Sequence, residues 1–162
     1  MIQIRKLSPD KWKEYRNLRL EALKKDPSSF GSSYDKEKKL SPSEWKRKIE
    51  NALFALSGDK PIGMIKFLFS KEQETKHVAK IYGLYVNKEY RNQGVGRKLL
   101  KSTIAEIKKN NRIIKIVLNV NPQQKKAASL YEKEGFEKIG KLKKDIFVNG
   151  KFYDSLVMEK YL

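Results

Sequence analysis

Residues 90–100 read YRNQGVGRKLL, and the reading of this stretch decides the fold. Gly94 and Gly96 bracket Val95, with Arg91, Arg97 and Lys98 beside them. A β-like run, HVAKIYGLYV, precedes the turn. Behind it Val95, Leu99, Ile104 and Ile107 recur on one helical face, opposite Arg97, Lys98, Lys101 and Lys108. A helix that begins near Gly94 leaves its first N–H groups unpaired and directs about half a positive charge forward, the condition for holding an anion. Glycine allows close approach of that anion and permits positive φ. A plain strand-to-helix turn that uses glycine for geometry alone is the other reading.

Spacing separates the known phosphate motifs. A P-loop needs Gly-Lys-Ser/Thr, and Gly96 is followed by Arg97-Lys98-Leu99. A dinucleotide fingerprint needs a third glycine at 99 and an acidic residue ending the next strand, where Leu99 and LNVN stand. Both fail, leaving Arg91-Asn92-Gln93-Gly94-Val95-Gly96 as an Arg-x-x-Gly-x-Gly turn.

Outward from the turn, the chain builds strand, helix, strand (IIKIVLNV) and helix (PQQKKAASLYEKE), a βαβα unit. Asn121 and Pro122 suit the start of that second helix and Gly135 its end. Ala127 and Ala128 permit close approach, and Tyr131 can project its hydroxyl into the same cleft. The N-terminal half reads as an opening strand (IQIRKL) and a helix from Ser8-Pro9-Asp10 that stops before Asp26-Pro27. A second helix follows from Ser41-Pro42-Ser43-Glu44, then two strands joined at Gly58-Asp59. Asn149-Gly150 between alternating runs marks a closing hairpin. With 162 residues and no linker or repeat, one α/β domain over 1–162 is expected.

Composition narrows the chemistry. There is no cysteine and a single histidine, His77 in a polar loop, so no metal site is expected. The net charge of +18, from 37 basic against 19 acidic residues, would attract polyanions. The lysines are spread through the whole chain rather than gathered on one basic helix, which disfavours nucleic acid as a partner. No apolar run approaches a membrane span, and MIQIRKLSPD lacks signal-peptide order, so a cytoplasmic location and no membrane partner are expected.

The strand, turn and helix of LYVNKEYRNQGVGRKLL, together with LNVNPQQKKAASLYEKEGFEKIG, resemble the GNAT superfamily of N-acetyltransferases. IRKLSPDKWKEYRNLRLEAL, DPSSFGSSYDKE and the closing GKFYDSLVMEKYL extend the likeness over nearly the whole chain. The resemblance implies a mixed, mostly antiparallel central sheet flanked by helices, with a parallel pair of strands splayed into a V. It also implies acetyl-CoA as cofactor. Asn92, Gln93, Gly94, Val95, Gly96 and Arg97 would then wrap its pyrophosphate, with Arg91 opening the motif. Leu84, Tyr85 and Val86 would offer backbone groups to the pantetheine arm, Gly83 would suit a bulge, and Asn121 would contact the same arm.

Tyr131 occupies the family's position for protonating the departing thiolate; a core tyrosine is its alternative. The reaction implied is direct transfer to a primary amine of a small molecule or peptide. Many family members place an acidic base on the strand before the turn, where KIYGLYV offers Tyr82 and Gly83, so no base is assigned. Phe30, Ser33, Tyr34 and Tyr82 are the candidates to line the acceptor pocket. A protein N-terminal or lysine acetyltransferase, an acetyl-CoA sensor and a nucleic-acid module on the same fold remain as alternatives. The charge argues against basic protein substrates. Family habit adds a homodimer.

Overall fold

The computed structural model describes residues 1–162. Seven strands form one sheet: β1 (Ile2–Arg5), β2 (Ala52–Ser57), β3 (Lys60–Phe69), β4 (Val78–Val86), β5 (Lys115–Val120), β6 (Glu137–Val148) and β7 (Lys151–Tyr161). Their spatial order is β1-β2-β3-β4-β5-β7-β6. Every neighbouring pair is antiparallel except β4 and β5, the one parallel pair.

Sequence alternation explains how helices cover both faces of the sheet. Side chains point to opposite faces at every second residue of a strand. In β2, Leu53 and Ala55 join one buried cluster while Ala52, Phe54 and Leu56 join another. The first cluster is covered by α4 (Val95–Lys108) and α5 (Lys125–Lys133), through residues such as Leu99, Leu100, Ile107 and Ala128. The second is covered by α1 (Trp12–Lys25), through Tyr15, Leu18 and Ala22, and by α3 (Pro42–Lys48), through Trp45. Tyr15 stands edge-on to Trp45 and Phe54 at 5.5 and 5.6 Å between ring centroids.

Local chemistry sets the boundaries of these elements. α1 ends at Lys25, ahead of Asp26-Pro27. A short α2 (Tyr34–Glu37) follows. Ser41 and Glu44 close a reciprocal capping box at the start of α3. Asn149 and Gly150, both at positive φ, make the two-residue turn of the β6–β7 hairpin. Gly135, at φ +88°, lies just beyond the end of α5.

One expected boundary differs. Asn121 and Pro122 do not begin α5, which starts at Lys125. Asn121 instead makes its own turn, its Oδ1 accepting from Gln123 N at 2.9 Å and its carbonyl from Gln124 N at 2.9 Å. No helix is long and apolar enough to cross a membrane.

Leu99, fully buried between α4 and the sheet, is the test of this packing. Leu99→Ala is expected to cost about 3 kcal/mol and lower Tm by roughly 6–12 °C in thermal denaturation followed by circular dichroism.

Candidate active site

The site begins where two strands part. β4 and β5 pair only from Val78 to Lys80 against Lys115 to Val117. Beyond that, Leu118, Asn119 and Val120 of β5 pair with β7 alone. On the other side of β4, Met64 faces Tyr85 while Lys66 faces Tyr82, so Gly83 and Leu84 together stand opposite Ile65. This is a bulge, and Gly83 provides it with φ +67°, as the resemblance implied. The parted strands open a cleft of about 1620 Å³ whose floor includes Leu84, Tyr85 and Val86.

The glycine turn lies at the mouth. Asn92 and Gly94 are both left-handed, at φ 63° and 76°, and Gly94 is the N-cap of α4. The first closing bond of the helix runs from Lys98 N to Gly94 O at 3.0 Å, which leaves the earlier N–H groups of Val95, Gly96 and Arg97 without intrahelical partners. Gly96 packs closely: a Cβ there would lie 3.5 Å from Leu130 Cδ2 and 3.8 Å from Val86 Cγ2. Lys126 reaches across from α5 to Asn92 Oδ1 at 3.3 Å, and Lys125 and Lys133 line the same end.

Arg91 and Arg97, beside the glycines, are anchored. Arg91 donates to Val86 O at 2.8 Å and to Asp26 at 2.5 Å, and Arg97 pairs with Glu134. Gln93 lies outside the lining, its side-chain amide donating to Glu89 O at 3.0 Å within the turn. The Tyr85 hydroxyl points away into the second core cluster and donates to Glu21 at 2.9 Å, leaving only its backbone for the cleft.

α5 supplies the second wall with Ala127, Leu130 and Tyr131. The Tyr131 ring is buried against Phe136 at 5.8 Å, and burial alone pushes its phenol above the ordinary tyrosine range. Asn121 is engaged as well, its amide donating to Ser28 O at 3.0 Å and holding the segment after α1 over the end of β5.

At the far end of the cleft the structure brings together Phe30 and Tyr82, as the sequence suggested. It does not bring Ser33 and Tyr34 there. Ser33 caps α2, accepting from Lys36 N, and Tyr34 packs against the second core cluster. Their places are taken by Arg19, Ser32, Glu37, Lys48, Asp145 and Ile146. Arg19 carried a signal: it sits among the buried residues Tyr15, Leu18 and Ala22 on the apolar face of α1. Asp145 had none. It enters through an irregularity in β6, where the register jumps from Leu142–Ser155 to Ile146–Tyr153 and Lys144 N donates to Asp154 at 2.9 Å.

Glu37 is a saturated carboxylate. It receives Arg19 Nε and Nη2 at 3.1 and 2.9 Å and Ser32 Oγ at 2.6 Å. Burial raises its pKa, but these hydrogen bonds and the charges of Arg19 and Lys48 prevail and hold it below the usual range. Burial pushes the Tyr82 phenol up, against a smaller opposing effect of Arg19. Lys66, whose ammonium bonds to the Lys48 carbonyl, falls to about 8 through burial and the positive charges of Lys48 and Arg19. No group of three or more His, Cys, Asp or Glu could hold a metal ion.

Parallel strands parted over an amide-lined cleft, with a helix N-terminus at its mouth and a buried tyrosine in its wall, define a fold and site suited to acyl transfer from a long, phosphate-ended carrier. The Acetyltransferase (GNAT) family model matches residues 12–136, and the chain belongs to that family, whose cofactor is acetyl-CoA. It is an acetyl-CoA-dependent acetyltransferase.

Solved structures agree in fold. A GNAT-family acetyltransferase from Streptococcus pneumoniae superposes with TM-score 0.87 at 23% identity, covering 100% of both chains. A ribosomal-protein-alanine N-acetyltransferase from Brucella melitensis gives 0.85 at 20% identity, over 99% of each chain. The Salmonella typhimurium protein yncA, solved with its cofactor acetyl-CoA, gives 0.86 at 15% identity over 100% of this chain and 94% of its own. No curated protein matches the sequence.

The depressed pKa of Lys66 has a stability consequence. Its folded pKa lies below the unfolded one, so between pH ~8 and ~10.4 the unfolded chain binds more protons and folding gains stability as pH rises. Lys66→Met is therefore expected to be more stable than the parent at pH 7, by on the order of 2 kcal/mol, with the gap narrowing towards pH 10. Urea denaturation of both proteins across that range measures it.

Proposed function

We propose that residues 1–162 form a single N-acetyltransferase domain that moves an acetyl group from acetyl-CoA directly to a primary amine of a small molecule or peptide. The observation that carries this reading is the parting of β4 from β5 directly behind the Gly94 turn, with Tyr131 in the adjoining wall. Acetyl-CoA fits the donors present: its pyrophosphate suits the free N–H groups of Val95, Gly96 and Arg97, and its pantetheine amides suit the β4 edge from Leu84 to Val86, which no strand pairs and whose last carbonyl Arg91 holds. When bound, it supplies the acetyl group as an activated thioester.

The chain's own groups then have separable tasks. Asn92, Gly94 and Gly96 shape the turn, while Lys125, Lys126 and Lys133 add charge at its rim. Arg91 and Asn121 position, since each ties the segment after α1 to one lip of the cleft. Tyr131 keeps its proton throughout the neutral range because burial raises its pKa, and it holds that proton for the leaving sulfur. A backbone N–H of the unpaired β4 edge can polarise the acyl carbonyl. No cysteine is present to carry an acyl group, in keeping with direct attack by the amine.

Neither Tyr82 nor Glu37 suits a general base. The first is held protonated and the second is saturated by Arg19, Ser32 and Lys48. The amine enters deprotonated through exchange with water, which favours acceptors of pKa near ~8 over a lysine side chain near ~10.4.

The deciding measurement is release of free coenzyme A from acetyl-CoA with amino acids, polyamines, aminoglycosides and short peptides as acceptors; no release with any of them would count against the reading. Tyr131→Phe is expected to lower kcat about 100-fold while leaving acetyl-CoA affinity unchanged, and undiminished kcat would remove the tyrosine from the acid role. Gly96→Leu, which fills the space beside Leu130 and Val86, is expected to abolish binding in calorimetric titration with acetyl-CoA.

A further inference from the structure

The acceptor end of the cleft carries buried positive charge that the chain's own carboxylates do not balance. Arg19 on α1 is 8% exposed, and most of its guanidinium is fixed. Nε and Nη2 are spent on Glu37 at 3.1 and 2.9 Å, and the group lies over the Phe30 ring at 4.8 Å. The remaining amino group, Nη1, donates to no residue. It faces the bulge in β4, 3.8 Å from where a Cβ on Gly83 would stand, so it is aimed at the point where the strands part.

Glu37 has little left to offer. Beyond Arg19 it holds Ser32, and Lys48 Nζ stands 3.6 Å from the same oxygen. Lys66 lies directly behind, its Cγ 3.9 Å from the same Gly83 position. Burial is the largest cause of its depressed pKa, and among the charges Lys48 and Arg19 oppose its own more than Glu37 and Glu50 support it. Two carboxylates, the buried Glu37 and the exposed Asp145 at the edge of the same end, therefore answer three cations, Arg19, Lys48 and Lys66.

We infer that the acceptor is an amine of amino-acid size that carries a carboxylate, bound by the free Nη1 edge of Arg19 with Lys48 beside it. The inference rests on the amine-acetyltransferase reading above. A guanidinium edge fixed by a partner carboxylate loses little freedom on binding, and charge-assisted hydrogen bonds are the stronger kind. Nη1 offers two N–H groups, enough for one carboxylate, whereas a phosphate brings three oxygens and would leave acceptor capacity unmet in a buried site. Phe30 and Tyr82 flank the position with apolar surface for the acceptor's body. A polyamine or aminoglycoside would add cations to a site already in excess.

The test is a thermal-shift and calorimetric titration of the full chain, with and without coenzyme A, using L-amino acids, their carboxamides and phosphoethanolamine. At least one amino acid is expected to bind, ~10-fold or more tightly than its carboxamide. Arg19→Gln combined with Glu37→Gln removes both charges of the pair, so neither is left buried alone, and is expected to erase that preference while acetyl-CoA still raises Tm. Lys48→Met, at a more exposed position, is expected to weaken amino-acid binding several-fold with the fold intact.

Equal binding of the carboxamide, stronger binding of phosphoethanolamine, binding of no amino acid, or a preference that survives in the folded double variant would each overturn the inference. Amino-acid binding without any release of coenzyme A from acetyl-CoA would instead leave the carboxylate site standing and count against the transferase reading.

Discussion

The proposed site depends on a set of backbone hydrogen bonds that are not made. Past Lys80 the parallel pairing of β4 and β5 stops, and the peptide groups of Tyr82 to Val86 on that edge are left for something other than a strand. Buried peptide groups without partners are costly, so an opening of this kind persists only where the surroundings enforce it and a ligand or water completes it. The enforcement is visible. Gly83 turns the strand through a conformation open to few other residues, and β5 is drawn away by its full ladder with β7. α4 and α5 brace the gap from one face of the sheet and α1 from the other.

The arginines around the cleft serve more as struts than as free charges. Asp26, Glu37 and Glu134 each fix one of them, so that Arg91, Arg19 and Arg97 stand where packing and carboxylates put them. Loss of one partner from a buried pair such as Arg19–Glu37 leaves an uncompensated charge, a penalty of about 3–5 kcal/mol, which makes the pair a constraint on the shape of the acceptor end. The lysines differ. Lys125, Lys126 and Lys133 line the rim on long flexible stems, suited to a ligand whose charged end lies partly in solvent.

The elements were legible in the sequence where local rules acted alone. The helix starting at the Gly94 turn, the capping box at Ser41 and the hairpin at Asn149-Gly150 all follow from turn chemistry or periodicity, while the bulge at Gly83 followed from the family resemblance. The glycine turn and the parted edge of β4 were legible for the same reason, since they come from one contiguous strand, turn and helix. The acceptor end was not. Arg19, Glu37 and Asp145 come from α1, α2 and β6, and only tertiary folding assembles them. Ser33 and Tyr34 lie close to the right place in sequence, yet the short helix they begin turns one into a cap and the other into core. The start of α5 was misplaced because Asn121 and Pro122 satisfy the rules for a helix start and for a turn equally well, and the hydrogen bond to Ser28 favours the turn.

The irregularity in β6 that delivers Asp145 to the cleft bears on solubility as well. β6 is one of the two edge strands of the sheet, 12 residues long and almost wholly exposed, the kind of open margin on which like molecules stack into fibrils. The breaks at Lys138–Gly140 and Leu142–Ile146 divide that margin into three short runs, and Lys138, Lys141, Lys143 and Lys144 stud it with like charge. The displaced register at Leu142–Ile146 thus shapes a pocket on its inner side and, together with the shift at Lys138–Gly140, denies a second molecule a straight ladder to join on its outer side.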